Sequence, residues 1–181
     1  MTQLLYPVNS ADNIEGNASA PIELVEYGDY ECPYCGRAYP IVKEIQKQLG
    51  ADLKFVFRNF PLKRIHPHAF AAALATEAAA QQDKFWQMHD IIFENQKSLE
   101  SEDIFFFAKE LGLDIQSFEN DMQDPSLIRK VEHDFETGIR SGVNRTPTFF
   151  INGEKYEGEW GNHELLQFLL NKLSAIGPKV Y

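Results

Sequence analysis

The spacing of apolar residues changes along this chain, and the first third predicts two strands joined by a helix. Two short runs, PIELVEY (21–27) and LKFVFRNF (53–60), are rich in β-branched and aromatic residues and end at turn-forming residues. Between them, apolar residues recur at helical spacing until Gly50: Ile41, Val42, Ile45 and Leu49. A connection of this length predicts parallel strands, with the helix crossing one face of the sheet.

The middle of the chain, from about residue 67 to 142, has a helical pattern almost throughout. The segment AFAAALATEAAA favours a helix because alanine has the highest helix propensity. Further helical segments follow, namely DKFWQMHDIIFENQ, IFFFAKELG and a segment that begins at Pro125. We therefore predict a bundle of four or five short helices.

A strand pattern returns in TFFI (148–151), and the dipeptide Asn152-Gly153 predicts a two-residue hairpin turn. We expect the returning strand over residues 154–157 and a final amphipathic helix from about residue 163 to 173. The predicted order is thus β-α-β, a helical insert, then β-β-α.

Length and charge exclude several classes of protein. A chain of 181 residues can form one domain that buries roughly two-thirds of its unfolded surface. The net charge of −10 gives no basic footprint for nucleic acid or anionic lipid. No apolar run approaches the roughly 18 residues of a membrane span. The start, MTQLLYPVNSADNIEG, lacks the features of a signal peptide, so we expect a cytoplasmic protein, or a periplasmic one if a leader has been removed.

Both cysteines lie in the segment VEYGDYECPYCGRAYP (25–40), just after the first predicted strand. Pro33 suits the first position of a helix, which places Cys32 at the helix N-terminus. Unpaired N–H groups and the helix dipole stabilise a thiolate there, and such thiols have pKa values of roughly 3.5–7.5. Cys35 lies one turn further in and should be buried. We therefore predict an asymmetric redox pair, in which Cys32 is an outward-facing nucleophile and Cys35 closes the disulfide from behind.

A zinc site and a structural disulfide fit the two cysteines less well. A zinc site usually needs four ligands, so His66 and His68 would have to complete it, but His-Pro-His before an Ala-rich segment is typical of a helix entry. A purely structural disulfide across so short a loop would remove little entropy from the unfolded chain. We therefore favour redox chemistry and expect no metal ion and no cofactor.

Four segments together resemble the DsbA family of thioredoxin-fold oxidoreductases: EYGDYECPYCGRAYP, FRNFPL, HPHAFAAALATEAA and GVNRTPTFFING. The resemblance covers roughly residues 20–168 and implies an α/β thioredoxin fold with a central mixed sheet and an inserted α-helical domain. It implies a single domain over residues 1–181, with the thioredoxin core at about 20–62 and 143–176 and the insert at about 63–142. Similar domains occur on the cytoplasmic side of sodium–proton antiporters.

The resemblance also implies roles for individual residues. Cys32 would be the attacking cysteine and Cys35 the resolving one, and Pro147 would be the cis-proline that faces them. Substrate would be contacted by Thr146, Pro147, Pro33 and Tyr34.

Glu26 corresponds to a buried acid found below the second cysteine in such proteins. Strand alternation places Leu24, Glu26 and Gly28 on one face, so Glu26 can lie beside Cys35 and accept its proton. The alternative is a solvent-facing glutamate on an edge strand.

The implied function is thiol–disulfide exchange with protein or peptide substrates, in an enzyme that binds no nucleic acid. Glutathione or a thioredoxin-type protein would be its redox partner. The sequence specifies the steps but not the direction, because potentials in this fold span about −270 to −120 mV. Two alternatives are a non-catalytic binding module of the same fold and a glutathione-dependent small-molecule isomerase, although isomerases of that kind usually carry a serine in place of the first cysteine.

Overall fold

The computed structural model describes residues 2–177 and contains a five-stranded mixed sheet. The strands are β1 (Asn13–Gly16), β2 (Ile22–Gly28), β3 (Leu53–Asn59), β4 (Thr148–Ile151) and β5 (Glu154–Lys155), in the order β1-β3-β2-β4-β5. Strands β2 and β3 are parallel, as predicted, and the other neighbours are antiparallel.

Seven α-helices surround the sheet in the described part of the chain. They are α1 (Pro33–Leu49), α2 (Ala69–Ala80), α3 (Phe85–Glu94), α4 (Ser101–Glu110), α5 (Ile115–Asp121), α6 (Pro125–Arg140) and α7 (Glu164–Ile176). Helices α2 to α6 lie between β3 and β4, which confirms the predicted helical insert. Among residues 2–177, no helix is long and apolar enough to cross a bilayer.

Two elements differ from the sequence prediction. The short edge strand β1, which pairs with β3, was not predicted, because its four residues NIEG are only partly buried and lack a clear apolar pattern. Strand β5 covers only Glu154–Lys155 rather than residues 154–157. One more backbone bond to β4 follows it, in which the Tyr156 N–H donates to the Phe149 carbonyl oxygen at 2.9 Å, and regular pairing ends there.

The sheet separates two apolar cores, and β2 contributes alternate residues to each. Leu24 packs with α1 and the insert in the larger core, whereas Val25 and Tyr27 pack with Phe60 and Phe150 in the smaller one. Glu26 therefore lies on the α1 side of the sheet, as strand alternation predicted.

Helix α1 lies over the sheet because its buried residues form one stripe, which runs through Cys35, Ala38, Val42, Ile45 and Leu49. The helix ends at Gly50, whose φ of 51° lies in the left-handed region that glycine tolerates. The start of this helix, at the carboxyl end of β2, positions the two cysteines.

Candidate active site

Cys32 is the N-cap of α1, and Pro33 occupies the first helical turn, as the sequence predicted. Both Cys32 and Cys35 are free thiols in the structure. The Cys32 Sγ lies 3.5 Å from the carbonyl oxygen of Thr146, and the Thr146–Pro147 peptide bond is cis. The loop that precedes β4 therefore packs directly against the first sulfur.

The two cysteines differ in their surroundings more than in their exposure. Cys32 is only 4% exposed and Cys35 is fully buried. The prediction that Cys32 faces outward is therefore wrong. The cis-proline loop lies against this sulfur through the Thr146 carbonyl oxygen, which the sequence pattern of α1 alone does not reveal.

Hydrogen bonds to its sulfur lower the pKa of Cys32 to about 5. The Cys35 thiol makes the largest contribution, and burial opposes it. The Thr146 side chain and the backbone N–H groups of Cys35 and Tyr34 also favour the thiolate. These N–H groups are the free donors of the first helical turn, so the helix N-terminus contributes as the sequence argument proposed.

The pKa of Cys35 is shifted in the opposite direction, well above its ordinary value. Burial is the main cause, and the hydrogen bond to Cys32 and the negative charges of Glu26 and Cys32 add to it. Cys35 is therefore a protonated thiol at neutral pH, whereas Cys32 is a thiolate. The one donor to the Cys35 sulfur that opposes this shift is the Asp29 N–H, at 3.4 Å.

Glu26 is 3% exposed and lies on β2 beneath the cysteines, so it is not a solvent-facing glutamate. Burial, followed by the charge of Cys32, raises its pKa to about 8. A carboxyl group with this pKa can exchange a proton near neutral pH. Its charge also raises the pKa of Cys35, so the two groups are close enough to interact.

The Thr146 hydroxyl is buried beside Cys32 and has no hydrogen-bond partner among residues 2–177. It is therefore free to donate to the Cys32 thiolate when the thiol loses its proton, which explains why Thr146 lowers the pKa of Cys32.

We expect Thr146→Val to raise the pKa of Cys32 by about 1–2 units, because a hydrogen bond to a charged group contributes about 1.5–3 kcal/mol. A titration of thiolate absorbance at 240 nm measures the shift. Thr146→Ser retains the hydroxyl and is the matched control, which should titrate close to the wild type. Identical titrations for the valine and serine variants would show that the hydroxyl is not a donor.

Asp29 is a buried residue that links two loops of the site through hydrogen bonds, and sequence patterns did not identify it. Its Oδ1 accepts from the N–H groups of Glu31 and Cys32 at 2.8 and 3.1 Å. Its Oδ2 accepts from the Leu62 N–H at 2.8 Å and lies 2.8 Å from His66 Nδ1. One carboxylate thus joins the active-site turn to the loop that leads into the helical insert.

Replacing Asp29 with asparagine should lower the free energy of unfolding by about 2–3 kcal/mol. The amide keeps the shape of the carboxylate, but its NH₂ group faces a donor and leaves buried polar groups unpaired. Urea unfolding of the reduced protein measures the loss, and Asp52→Asn, at an exposed position, is the control. Equal stability of Asp29→Asn and the wild type would contradict this role.

Gln96, just after α3, is a second contact that sequence patterns did not identify. Its Nε2 donates to the carbonyl oxygens of Tyr30 and Cys32 at 2.9 and 2.7 Å. A Cβ atom at Gly36 would overlap the Gln96 amide, so the glycine allows this close approach. The helical insert therefore holds the backbone of the active-site turn directly.

The histidines considered as zinc ligands have other partners. The His66 ring bonds to Asp29, and the His68 ring Nε2 lies 3.7 Å from a carboxylate oxygen of Glu100. The backbone N–H of His68 donates to the Glu31 carboxylate at 2.7 Å. In the part of the chain that the structure describes, no group of three His, Cys, Asp or Glu side chains could hold a metal ion.

Pro33 and Tyr34, predicted to contact substrate, are both exposed, and Tyr34 is 56% exposed. Tyr34 and Pro147 line the same groove beside Cys32, with a volume of about 680 Å³. The structure thus brings together all the residues predicted to form the site.

A helix that starts at a Cys-x-x-Cys motif, over a mixed sheet and beneath a cis-proline loop, defines a thioredoxin-fold dithiol protein. The family model described as Thioredoxin matches residues 9–171, and the chain belongs to this family.

Solved structures show the same fold. A thioredoxin-like oxidoreductase from Silicibacter pomeroyi DSS-3 has a TM-score of 0.81 at 24% identity, covering 92% of this chain and 94% of that one. BdbD from Bacillus subtilis has a TM-score of 0.79 at 24% identity, with the same coverage. The catalytic domain of Proteus mirabilis ScsC has a TM-score of 0.78 at 21% identity, covering 95% of this chain and 93% of that one.

The curated proteins that are similar in sequence are named as sodium–proton antiporters. The chain is 42% identical over 169 residues to Na(+)/H(+) antiporter NhaA 1 of Mycobacterium sp. (strain KMS), covering 92% of this chain but 28% of that protein. It is 41% identical to Na(+)/H(+) antiporter NhaA of Herminiimonas arsenicoxydans, covering 82% and 24% respectively. The chain thus spans about a quarter of the length of these relatives.

Proposed function

We propose that this protein is a thiol–disulfide oxidoreductase that exchanges disulfides with protein or peptide substrates through Cys32 and Cys35. The observation that carries the proposal is the geometry of the site: Cys32 caps α1, Cys35 lies buried one turn further in, and the cis Thr146–Pro147 loop lies 3.5 Å from Cys32 Sγ. The opposite directions of the pKa shifts of the two sulfurs agree with this geometry. Similar solved structures support it, since they include a thiol-disulfide exchange protein from Wolbachia pipientis.

In the reducing direction, the Cys32 thiolate attacks one sulfur of a substrate disulfide. A bond forms between Cys32 and that sulfur, and the other substrate sulfur leaves as a thiolate that takes a proton from water. In the mixed disulfide the Cys32 charge that raises the pKa of Glu26 is gone, so Glu26 can ionise and accept the proton of Cys35. The Cys35 thiolate attacks Cys32 Sγ, the mixed disulfide breaks, and the second substrate sulfur leaves as a thiolate that takes a proton from water. The substrate gains two electrons and the Cys32–Cys35 disulfide forms. The oxidising direction runs the same steps in reverse.

The loop at Thr146 gives an extended substrate a place to bind. Pro147 has no N–H group, and the backbone of Thr146 beside it can pair with a peptide strand, as in β-augmentation. The exposed Tyr34 lines the same groove as Thr146, whose carbonyl oxygen lies 3.5 Å from Cys32 Sγ, and the exposed Pro33 precedes Tyr34 at the start of α1. A peptide bound along this groove would therefore lie close to Cys32.

Reduction of insulin by dithiothreitol tests the proposal. We expect the protein to accelerate the precipitation of insulin B chain, and Cys32→Ala to abolish the acceleration. A protein that binds unfolded substrate without any acceleration would be the binding module. Activity confined to a small glutathione-linked substrate would indicate the isomerase.

The thiolate pKa also predicts a potential. Thioredoxin has a cysteine pKa near 7 and a potential of about −270 mV. Compared with a pKa near 7, a pKa of about 5 stabilises the dithiol form at pH 7 by roughly 2.3 kcal/mol more, which raises the potential by about 50 mV. We therefore expect a potential near −220 mV, which favours oxidation of substrates more than thioredoxin does. Equilibration with glutathione buffers measures it, and a value at or below −270 mV would contradict the argument.

Glutathione or a thioredoxin-type protein would return the pair to its starting state. The time course of the same equilibration gives the rate at which glutathione reduces the Cys32–Cys35 disulfide. A slow reaction with glutathione, and a fast one with a dithiol protein, would assign the protein partner.

A further inference from the structure

We propose that the groove beside Cys32 selects substrates with acidic residues next to the reacting cysteine. This basic groove has a volume of about 680 Å³, and the lining residues that matter here are Tyr34, Arg37, Arg145, Pro147, Glu159 and Trp160. The inference rests on the proposed function and specifies its substrate class.

Arg37 provides one positive charge. It lies on α1, one turn after Tyr34, and its guanidinium carbon is 4.6 Å from the centre of the Tyr34 ring. A guanidinium group stacked on a tyrosine is held in place while its N–H groups stay free for a carboxylate. Tyr34 lies between the two cysteines in sequence, so this charge belongs to the first turns of the helix that begins at Cys32.

Arg145 provides a second positive charge from the opposite wall. It precedes Thr146, whose carbonyl oxygen lies 3.5 Å from Cys32 Sγ. The residue is exposed, as is Arg37. Among residues 2–177, neither guanidinium group forms an ion pair with a carboxylate, although the chain has 27 acidic residues and only 17 basic ones.

The acidic groups near the groove do not cancel these charges. Glu159 also lines the groove, and its negative charge reduces the charge of the two arginines from +2 to a net +1. Glu31, beside Cys32, accepts a hydrogen bond from the His68 N–H on the side of the insert, and Glu157 lies 3.4 Å from Lys155. A carboxylate that enters beside Cys32 would therefore meet two free arginines in an otherwise acidic protein.

An extended peptide fits this arrangement. If its backbone pairs with Thr146, its side chains alternate between the two walls, since neighbouring residues of a strand point to opposite sides. The two neighbours of the substrate cysteine then point to the same wall, where a carboxylate can reach Arg37 or Arg145, while Trp160 offers an apolar surface. Opposite charges favour encounter and register more than tight binding, which suits a transient substrate.

Symmetrical disulfides of short peptides test the proposal. Each peptide carries one cysteine flanked by Glu, Gln or Lys, and the rate at which the reduced protein reduces each disulfide is measured by quenching and mass spectrometry. For the wild type we expect the Glu peptide to react about fivefold faster than the Gln peptide, and the Lys peptide to react more slowly than both. The Glu/Gln ratio should approach one at 0.5 M NaCl, because salt screens exposed charges.

The double variant R37Q/R145Q should lose the preference and give a Glu/Gln ratio near one. R129Q, at an exposed position on α6 outside the groove, is the matched control and should keep the wild-type ratio. The ratio cancels any effect of the variants on the reactivity of Cys32 itself.

The outcomes separate this inference from the proposed function. Equal wild-type rates for the Glu and Gln peptides, or a preference that survives R37Q/R145Q, would overturn the basic groove as the selector. Failure to reduce any of the peptide disulfides would overturn the proposed function instead. If oxidised glutathione alone shows the dependence on Arg37 and Arg145, the groove recognises a small thiol rather than an acidic protein segment, and the proposal is wrong.

Discussion

Alkylation of the reduced protein with iodoacetamide should modify Cys32 with a midpoint near pH 5 and leave Cys35 almost untouched at pH 6. The pKa of Cys32 is about 5, so most of this thiol is already a thiolate at pH 6. Burial raises the pKa of Cys35 well above that of a free thiol, so almost none of it is ionised at that pH.

The difference in rate should be at least tenfold at pH 6. A thiolate of low pKa is intrinsically a weaker nucleophile, which offsets part of the difference in ionisation. The complete burial of Cys35 acts in the other direction, because the reagent must reach the sulfur. Peptide mapping of the alkylated protein gives both rates.

Two substitutions at Cys35 separate the causes of the low pKa. Cys35→Ala removes the donor that contributes most, so the midpoint of Cys32 should rise by at least one pH unit. Cys35→Ser keeps a hydrogen-bond donor and should change the midpoint less. Equal labelling of the two cysteines in the wild type, or a midpoint near pH 9, would remove the asymmetry on which the mechanism depends.

The local arrangement of this site was readable from the sequence because it follows from short-range patterns. Cys32 lies at the start of α1 because a strand, a turn and a proline precede the helical spacing. Alternation along β2 places Glu26 on the same face as Leu24, and the resemblance to the DsbA family identified this face as the one beneath the cysteines. Neither conclusion depends on how distant parts of the chain pack.

The parts of the site that sequence reasoning missed all depend on distant contacts. Asp29 accepts from Leu62, 33 residues later, and Gln96 reaches back to Cys32 across 64 residues. These contacts exist only because the helical insert packs beside the N-terminus of α1. An aspartate after a strand and a glutamine after a helix are common in loops, so neither residue carries a local signal.

The exposure of Cys32 was mispredicted for the same reason. A helix N-terminus is usually exposed, but Thr146 lies against this sulfur from a loop 114 residues away. That loop was expected to face the cysteines, yet its distance from the sulfur could not be inferred from spacing. Arg37 and Arg145 line the same groove as another consequence of this packing.

The substitution Glu26→Gln should slow the resolving step by tenfold or more without changing the alkylation midpoint of Cys32. Gln keeps the shape of the side chain but cannot accept the proton that Cys35 must lose. At the pH where Cys32 ionises, Glu26 in the wild type is already neutral, because its pKa is about 8. Rapid quenching of the mixed disulfide with a peptide, followed by mass spectrometry, measures the resolving step.

Glu26 should also make stability depend on pH in a defined window. Its pKa is about 8 in the folded protein and 4.5 in the unfolded reference, so the folded state holds the extra proton between these values. The wild type therefore loses stability as pH rises from about 4.5 to 8, and the loss is complete above the folded pKa. The shift corresponds to on the order of 5 kcal/mol.

Urea unfolding under reducing conditions measures this effect. Glu26→Gln and the wild type should be about equally stable at pH 4.5, and the variant should be several kcal/mol more stable at pH 8.5. Glu119→Gln, at an exposed position, should follow the wild type at both pH values. A Glu26→Gln variant that resolves mixed disulfides at the wild-type rate would exclude Glu26 as the base. A pH profile of stability identical to that of the wild type would show that the pKa of Glu26 is the same in the folded and unfolded protein, and its carboxylate would then be too weak a base to take the proton of Cys35.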